Sequence, residues 1–435
     1  MNAACRRFAA AIIRVAAAHP CGWPVCGVAA FFRMPMARRL LNCCPSAGRI
    51  ARLRRTPQEP HMSTSESGTV AHDAGEVEFV GGLFPRNQLA GPGGGQQSGF
   101  DLAYLRDLAR AHEHAGFDRV LIANGIDAQW IAAYAASQTE RLGFMIAHRP
   151  ALQAPTLAAR SFATLDHVTG GRIRLHAITG ITAEPQYGDY LVDKDARYAR
   201  TGEYLDIVRR TWTSDQPFDY EGKYFTIKGG FSPIKPLQAP HIPISFGGSS
   251  DAAYHIAVRH ADLYAFWGEP LVDAKEQVAK LHAAAAAAGV ASPRISLSVR
   301  LIVGPTEEIA WQRAHDIVGA LKKNHQPVPG RVQGTGTQRL LAAAERGERH
   351  DRALWMPTAS AVGGTHDSTA LVGTPDTVVQ ALLDYHDIGV TTFLNRGYDP
   401  LHDTLDYGRW IIPAVREEAR RRAQQKAEQA RRSAA

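Results

Sequence analysis

Short apolar runs of strand length alternate along the chain with longer segments whose apolar residues recur at helical spacing. Strands are predicted over eight ranges: 78–84, 119–124, 142–149, 173–179, 242–246, 263–268, 294–304 and 391–397. Helices are predicted over 101–115, 129–137, 154–167, 197–212, 252–259, 273–288, 307–322, 337–347 and 375–387, with a last one entered from 401–409. This repeated strand–helix order is typical of α/β proteins with a parallel sheet.

The number of strands predicts a (β/α)8 barrel of the TIM type, because eight parallel strands close without leaving an edge. A doubly wound open sheet is the alternative. Such a barrel takes about 250 residues, and this chain has more. We therefore expect insertions after strand 4 (180–196) and strand 7 (323–372), and a small hairpin over 218–228.

Charge and cysteine are unevenly distributed. The net charge is +7, but residues 1–61 contribute +9 and the segment from Arg416 contributes +4, which leaves about −6 for the body. The body has no basic face, so we expect no nucleic-acid partner. All five cysteines precede residue 45, so no disulfide, thiolate metal site or catalytic cysteine is expected in the body.

The composition also suggests how the chain is divided. We expect residues 1–70 to be a disordered leader outside the functional chain, 78–417 to be one α/β barrel domain, and 418–435 to be a basic helical or frayed tail. The apolar runs of the leader are too short and too often interrupted to cross a membrane.

Polar residues accumulate where the predicted strands end, which is where barrel enzymes carry their active sites. These positions are Asn124, His148, Arg149, 176–180, 247–250, 267–269, Arg300 and 395–398. For each arginine the alternative is a salt bridge to a neighbouring loop, and for each histidine a hydrogen-bonded place in the core.

Two stretches at these ends favour binding of an anion. The predicted strand 242–246 turns through Gly247 and Gly248 into Ser249 and Ser250, which cap the next helix, and such a turn can hold a phosphate. An ordinary serine-capped turn is the alternative. On strand 7, Ser296, Ser298 and Arg300 share one face by the period of two, which indicates a face that lines a cavity.

The strand ends offer no metal-ligand spacing, no nucleophile elbow and no Gly-x-Gly-x-x-Gly after strand 1. If the protein is an enzyme, we therefore expect a cofactor to supply the chemistry.

Several motifs resemble those of the bacterial-luciferase-like flavin monooxygenases, and the closest branch is the FMNH2-dependent alkanesulfonate monooxygenases. The similarity runs from about residue 78 to 417. Its motifs are Thr139-Glu-Arg-Leu-Gly-Phe, His148-Arg-Pro, Ala154-Pro-Thr-Leu-Ala-Ala-Arg, Gly170-Gly-Arg, Ala196-Arg-Tyr-Ala-Arg, Tyr220-Glu-Gly-Lys-Tyr-Phe, Pro243-Ile-Ser-Phe-Gly-Gly-Ser-Ser-Asp-Ala-Ala, Trp267-Gly-Glu-Pro and Leu371-Val-Gly-Thr-Pro.

The resemblance implies a barrel enzyme that takes reduced FMN from a separate NAD(P)H-dependent flavin reductase. With O2, it would oxidise a small organosulfur anion, releasing sulfite and an aldehyde from an alkanesulfonate. The FMN phosphate would be held by Gly248, Ser249, Ser250 and Tyr198, with Lys194 nearby. We also expect a homo-oligomer (dimer or tetramer), a cytoplasmic location and no metal.

The sequence departs from that branch at four places. The loop after strand 2 has no cysteine, strand 7 carries Ser298 and Arg300 where the branch has Arg-x-His, Val362 replaces an arginine and Lys194 replaces a histidine. A sulfone, a sulfinate or another small oxidisable substrate therefore stays open. A deazaflavin-dependent oxidoreductase without oxygen activation and a non-catalytic flavin-binding protein are the alternative functions.

Roles follow for the remaining candidates. Arg300, assisted by Arg149 or Arg396, would neutralise the substrate or the reacting oxygen. His148 or His176 would relay a proton, Tyr398 would donate a hydrogen bond, and Trp267 would wall the flavin ring. The segment 323–372 would close over the site.

Overall fold

The computed structural model of the chain describes residues 75–85, 101–123, 125–324, 333–364 and 369–434. The expected leader at 1–70 and Asn124 lie outside the described residues. The strands in these ranges are β1 (Glu78–Gly82), β2 (Arg119–Ile122), β3 (Gly143–His148), β4 (Ile173–Ala177), β5 (Phe218–Glu221), β6 (Thr226–Gly230), β7 (Ile244–Gly247), β8 (Leu263–Trp267), β9 (Arg294–Val303), β10 (Arg349–His350), β11 (Leu354–Trp355), β12 (Ala370–Gly373) and β13 (Val390–Arg396).

The helices in the same ranges are α1 (Leu102–His114), α2 (Ala128–Ala136), α3 (Pro155–Thr169), α4 (Lys194–Thr213), α5 (Asp251–His260), α6 (Leu271–Ala288), α7 (Glu307–Asn324), α8 (Thr335–Arg346), α9 (Pro357–Ser360), α10 (Pro375–Asp387), α11 (Pro400–Asp406) and α12 (Ile412–Ala434). A short 3-10 turn covers Pro185–Tyr187, and a π-helical turn, Tyr407–Ile411, precedes α12. None of the helices in the described ranges is long and apolar enough to cross a membrane.

Eight strands form a closed barrel. In the order β1, β2, β3, β4, β7, β8, β9 and β13 each strand pairs with the next in parallel, and β13 pairs with β1 to complete the ring. Helices alternate with these strands, and their apolar faces form one core with the outward faces of the strands. The predicted (β/α)8 barrel is confirmed, and closure excludes the open sheet.

The segment after β9 has more structure than the sequence indicated. β12 runs parallel to the second half of β9, with Ala370 opposite Arg300 and Gly373 opposite Val303. β9 is ten residues long, so its first half can pair with β8 and its second half with β12. The short strands β10 and β11 then extend this sheet in antiparallel pairs. The hairpin of β5 and β6 is present as predicted.

Helix α4 starts three residues earlier than predicted. The carboxylate of Asp193 accepts a hydrogen bond from the backbone N–H of Ala196 at 2.7 Å, so Asp193 acts as the N-cap. This cap places Lys194 in the first turn of α4 and Tyr198 one turn later.

The N-terminal end of the barrel is closed by an ionic cluster. The Glu78 carboxylate accepts hydrogen bonds from Arg119 at 2.9 Å, Arg174 at 3.0 Å and Arg294 at 2.6 Å, and from the Thr392 hydroxyl at 3.0 Å. These residues come from five different strands, so one carboxylate ties together much of the ring. Burial alone would raise the pKa of Glu78, but the three guanidinium groups outweigh it and hold that pKa far below its usual range.

Above this cluster the barrel interior is filled on one side only. On the side of β1 and β3 the inward residues Val80, Met145 and Ala147 are buried. On the opposite side the inward residues Ser245 and Ser296 are buried, but other inward positions of β4, β7, β8 and β9 are partly exposed, although the outward residues beside them are buried. The partly exposed positions are His176, Gly247, Ala265, Trp267, Ser298 and Arg300. A cavity therefore opens on the β4–β9 side, at the C-terminal ends of the strands.

Buried His112 provides a test of the fold at low pH. Its Nδ1 is hydrogen-bonded to the Leu108 carbonyl at 2.8 Å and its Nε2 to the Thr404 hydroxyl at 3.2 Å. Burial lowers the pKa of His112 to about 4. In the unfolded chain that pKa is about 6.5, so the unfolded state binds the extra proton as pH falls. Protonation of His112 in the unfolded state should therefore lower the free energy of unfolding of the protein by about 2 kcal/mol between pH 7 and pH 5.

Urea unfolding of the wild type and of His112→Gln at both pH values measures this contribution. The variant should lose that part of the pH dependence. The same pH dependence in both proteins would show that His112 titrates normally in the fold.

Candidate active site

The turn after β7 forms a close-packed cradle at the barrel mouth. A Cβ added at Gly248 would lie 2.6 Å from the Ala253 Cβ and 3.2 Å from the Tyr198 hydroxyl oxygen, so only glycine fits there. The Tyr264 hydroxyl donates to the Gly248 carbonyl at 3.2 Å. Ser250 caps α5 by accepting from the Ala253 N–H. The turn itself is half-exposed, so a ligand can reach it.

Two residues of α4 face this turn. The ring of Tyr198 packs edge-on against Phe246 with the ring centroids 6.2 Å apart. Burial raises the pKa of Tyr198, and a hydrogen bond to Ser250 partly offsets this effect. Lys194 donates from Nζ to the Thr335 hydroxyl at 3.0 Å.

Helix α8 completes the cradle from the far side. A Cβ added at Gly336 would lie 3.6 Å from the Ser249 hydroxyl oxygen. The structure therefore brings Tyr198, Gly248, Ser249 and Ser250 together, and Lys194 joins them through the first turn of α8. The sequence did not indicate Thr335 or Gly336, because a helix start within a long insertion carries no signal of what it packs against.

The cavity mouth carries two arginines side by side. In the parallel register Arg300 of β9 lies opposite Arg396 of β13, and Ser298 lies opposite Trp267 of β8. The Arg300 guanidinium lies 4.9 Å from the centre of the Tyr398 ring and donates to the Gly397 carbonyl at 3.2 Å. The Arg396 guanidinium lies over Phe84 at 5.5 Å. Aromatic rings thus hold both cationic groups at the mouth.

His176 lies deeper in the cavity. Its Nδ1 is 2.5 Å from the hydroxyl oxygen of Ser245, the inward residue of the neighbouring strand. Burial, with a smaller effect from Arg174, lowers the pKa of His176 to about 4. The ring is therefore neutral at pH 7. Ser245 was not predicted as a site residue, although the alternation along 242–246 places it on the polar face of that strand.

His148 faces the helical layer, and Arg149 is paired with a loop residue. Nε2 of His148 is hydrogen-bonded to the Tyr204 hydroxyl of α4 at 2.6 Å, and its ring packs edge-on against Phe162 of α3. Arg149 forms an ion pair with Glu184. Of the two histidines predicted to relay a proton, only His176 faces the interior, and Arg396 rather than Arg149 is the neighbour of Arg300.

A buried ion pair behind Trp267 was also missed by the sequence analysis. Glu269 is 1% exposed and accepts three hydrogen bonds from Arg339 of α8. Within the described residues, no group of three or more His, Cys, Asp or Glu side chains could hold a metal ion.

The fold and site together define a (β/α)8-barrel protein with a close-packed glycine–serine turn beside partly exposed inward residues at the C-terminal ends of its strands. The sequence model of the luciferase-like monooxygenase family matches residues 80–392. The chain belongs to this family of flavin-dependent monooxygenases, which confirms the resemblance at the family level. The alkanesulfonate branch stays a prediction.

Solved structures share the fold at low identity. A riboflavin lyase, solved with modified FMN and riboflavin, is 21% identical with a TM-score of 0.65, over 79% of this chain and 92% of that one. The EDTA monooxygenase of Chelativorans sp. BNC1 is 19% identical with a TM-score of 0.63, over 79% and 94%. An F420-dependent secondary alcohol dehydrogenase is 17% identical with a TM-score of 0.58, over 78% and 99%.

Proposed function

We propose that the protein is a two-component monooxygenase that uses reduced FMN and O2 to oxidise a small organosulfur anion. For an alkanesulfonate the products would be sulfite and an aldehyde. The observation that carries this proposal is the pair Arg300 and Arg396, which lie side by side at the strand ends of the same barrel mouth as the cradle at Gly248. Two guanidinium groups complement an anionic oxygen group in charge, and each can offer it paired N–H donors.

The cradle residues fit the phosphate of FMN. Gly248 lets the backbone approach, Ser249 and Ser250 offer hydroxyls, and Lys194 and Tyr198 lie on the facing helix. Trp267 lies between the cradle and the two arginines. There its ring would form one side of the flavin pocket and exclude water. When bound, reduced FMN supplies the activation of O2.

The other polar groups would act on the substrate. Arg300, with Arg396, would bind its anionic group and offset negative charge at the reacting oxygen. Tyr398 lies against Arg300 and would orient it or donate a hydrogen bond. His176, hydrogen-bonded at Nδ1 to Ser245, would relay a proton through Nε2. His148 would support the cavity wall.

Further parts of the proposal concern the surroundings of the site. We propose a functional barrel domain over 78–417, an NAD(P)H-dependent flavin reductase as partner, a homodimer or homotetramer, and action in the cytoplasm.

The test is oxygen uptake with reduced FMN against a panel of alkanesulfonates, sulfinates and sulfones, with sulfite release followed in parallel. Substrate-dependent uptake with matching sulfite supports the proposal. Hydride transfer from a reduced deazaflavin without oxygen uptake would support the alternative oxidoreductase. Tight FMN binding without turnover of any compound would indicate a non-catalytic flavin-binding protein.

Replacement of Gly248 by alanine tests the cradle directly. The new Cβ would meet Ala253 and Tyr198 and displace the turn, so FMN affinity should fall about tenfold, equivalent to about 1.4 kcal/mol. The affinity for riboflavin, which lacks the phosphate, should fall less. The control is Gly319→Ala on α7, where a Cβ meets nothing within 4 Å, and it should bind both flavins normally. Equal loss of FMN and riboflavin affinity in Gly248→Ala would place the phosphate elsewhere.

A further inference from the structure

Helix α8 touches the cradle with its first turn. Thr335, its first residue, accepts the hydrogen bond from Lys194, and Gly336 lies against Ser249. The Thr337 hydroxyl donates to the Gly364 carbonyl at 3.1 Å. The first turn of α8 is therefore bonded both to the cradle and to the end of the segment that follows it.

The middle of α8 is fastened to the end of β8. Nε of Arg339 donates to Oε1 of Glu269 at 2.9 Å, and Nη2 donates to Oε2 at 2.7 Å. This bidentate geometry fixes both the position and the orientation of the Arg339 guanidinium relative to Glu269. Glu269 itself is held, because the Tyr385 hydroxyl donates to its backbone carbonyl at 2.7 Å.

Arg339 and Thr335 are one helical turn apart, which is about 6 Å along the axis. Glu269 comes two residues after Trp267. A short, rigid piece of α8 therefore connects the cradle to the strand end that carries Trp267. A displacement of α8 at Arg339 would therefore be passed on to its first turn.

We propose that Arg339 is a positioning residue for the cofactor: its pair with Glu269 seats α8 so that Thr335 and Lys194 close on the flavin phosphate. This inference rests on the proposed function, since it concerns the same cradle. Its consequence is selective. Loss of the pair should weaken binding of a flavin that carries a phosphate, and it should weaken binding of riboflavin much less.

The experiment is a fluorescence titration of FMN and of riboflavin with the wild type, Arg339→Met, Arg339→Lys and Arg346→Met. Arg346 is the matched control, because it is on the same helix and pairs with Asp273 through a side chain that is itself 52% exposed. We expect the FMN dissociation constant to rise about tenfold in Arg339→Met, with riboflavin changing less than about twofold. Arg339→Lys should recover part of the affinity, and Arg346→Met should bind as the wild type.

Lys194→Met provides a second variant, since its exposed side chain can be removed without leaving a buried charge. It should lose FMN affinity selectively as well. Hydrogen exchange adds a readout that does not depend on activity: FMN, and not riboflavin, should protect residues 335–346 in the wild type and fail to do so in Arg339→Met.

The outcomes separate the two proposals. A wild type that binds neither flavin would overturn the proposed function. A wild type that prefers FMN, with the same preference in Arg339→Met and Lys194→Met, would overturn only the role of Arg339 and α8.

Discussion

Replacement of Glu78 by glutamine should lower the free energy of unfolding by about 3–5 kcal/mol, because it leaves buried guanidinium groups without their carboxylate. Arg174 is 6% exposed, and Arg119 and Arg294 are largely enclosed with it around this one anion. The pKa of Arg119 is already lowered to about 10 by burial and by the neighbouring Arg174. Without Glu78 three positive charges would repel each other at the floor of the barrel. Urea unfolding at pH 7 measures the loss.

Glu418→Gln is the matched control. Glu418 is also paired with two arginines, Arg421 and Arg422, but on the exposed face of α12, and exposed pairs contribute little. Its unfolding midpoint should equal that of the wild type. A Glu78→Gln protein as stable as the control would show that the cluster is not a stabilising element.

The pH dependence of the same variant gives a second check. The folded pKa of Glu78 lies below its unfolded pKa, so its stabilisation is complete above about pH 4.5 and is lost as pH falls through the folded value. The stability difference between wild type and Glu78→Gln should therefore be constant near neutral pH and should shrink below about pH 4.5.

The barrel could be predicted from the sequence because its signals are local. Alternating apolar positions, glycine stops and polar caps mark each strand and helix, and the number of strands then selects a closed ring. The strand β12 was missed for the opposite reason. Ala370–Gly373 is short, and only its pairing with the distant second half of β9 makes it a strand.

The site shows a similar limit. His148 and His176 both lie near the end of a strand, and the sequence analysis assigned the same role to both. In the register of β3 and β4, Ala147 lies opposite His176, so His148 falls on the outer face and meets Tyr204. One residue of register thus separates a group in the cavity from one in the helical layer, and the pattern of a single strand does not contain that register.

The partners of the strand-end arginines could not be predicted from the sequence either. Arg149, Arg300 and Arg396 stand at strand ends in the sequence, but Glu184 reaches Arg149 from a loop 35 positions later. Arg300 and Arg396 come together because β9 and β13 are neighbours in the ring. The sequence shows which charged residues stand at the strand ends, but only the fold shows which of them face the cavity.

Replacement of Arg300 by alanine should lower kcat/KM for an alkanesulfonate about 100-fold, the size typical of losing one fixed donor at developing negative charge. Its guanidinium is held by the Tyr398 ring and the Gly397 carbonyl at the cavity mouth, so a small side chain there leaves no group in its place. Arg300→Lys should recover only part of the activity, because an ammonium group lacks the planar fork. Steady-state kinetics with saturating reduced FMN measures both variants.

Assaying a neutral sulfone beside the sulfonate shows which negative charge Arg300 stabilises: the anionic group of the substrate or the reacting oxygen. A larger loss on the sulfonate places the guanidinium on the anionic group of the substrate, since the sulfone has none. Equal losses on both place it on the reacting oxygen, which the two reactions share. If FMN affinity and thermal stability stay at wild-type values, either pattern reflects the chemistry of the cavity rather than a change in the fold. An unchanged kcat/KM on both compounds would remove Arg300 from the reaction, and with it the argument from charge for an anionic substrate.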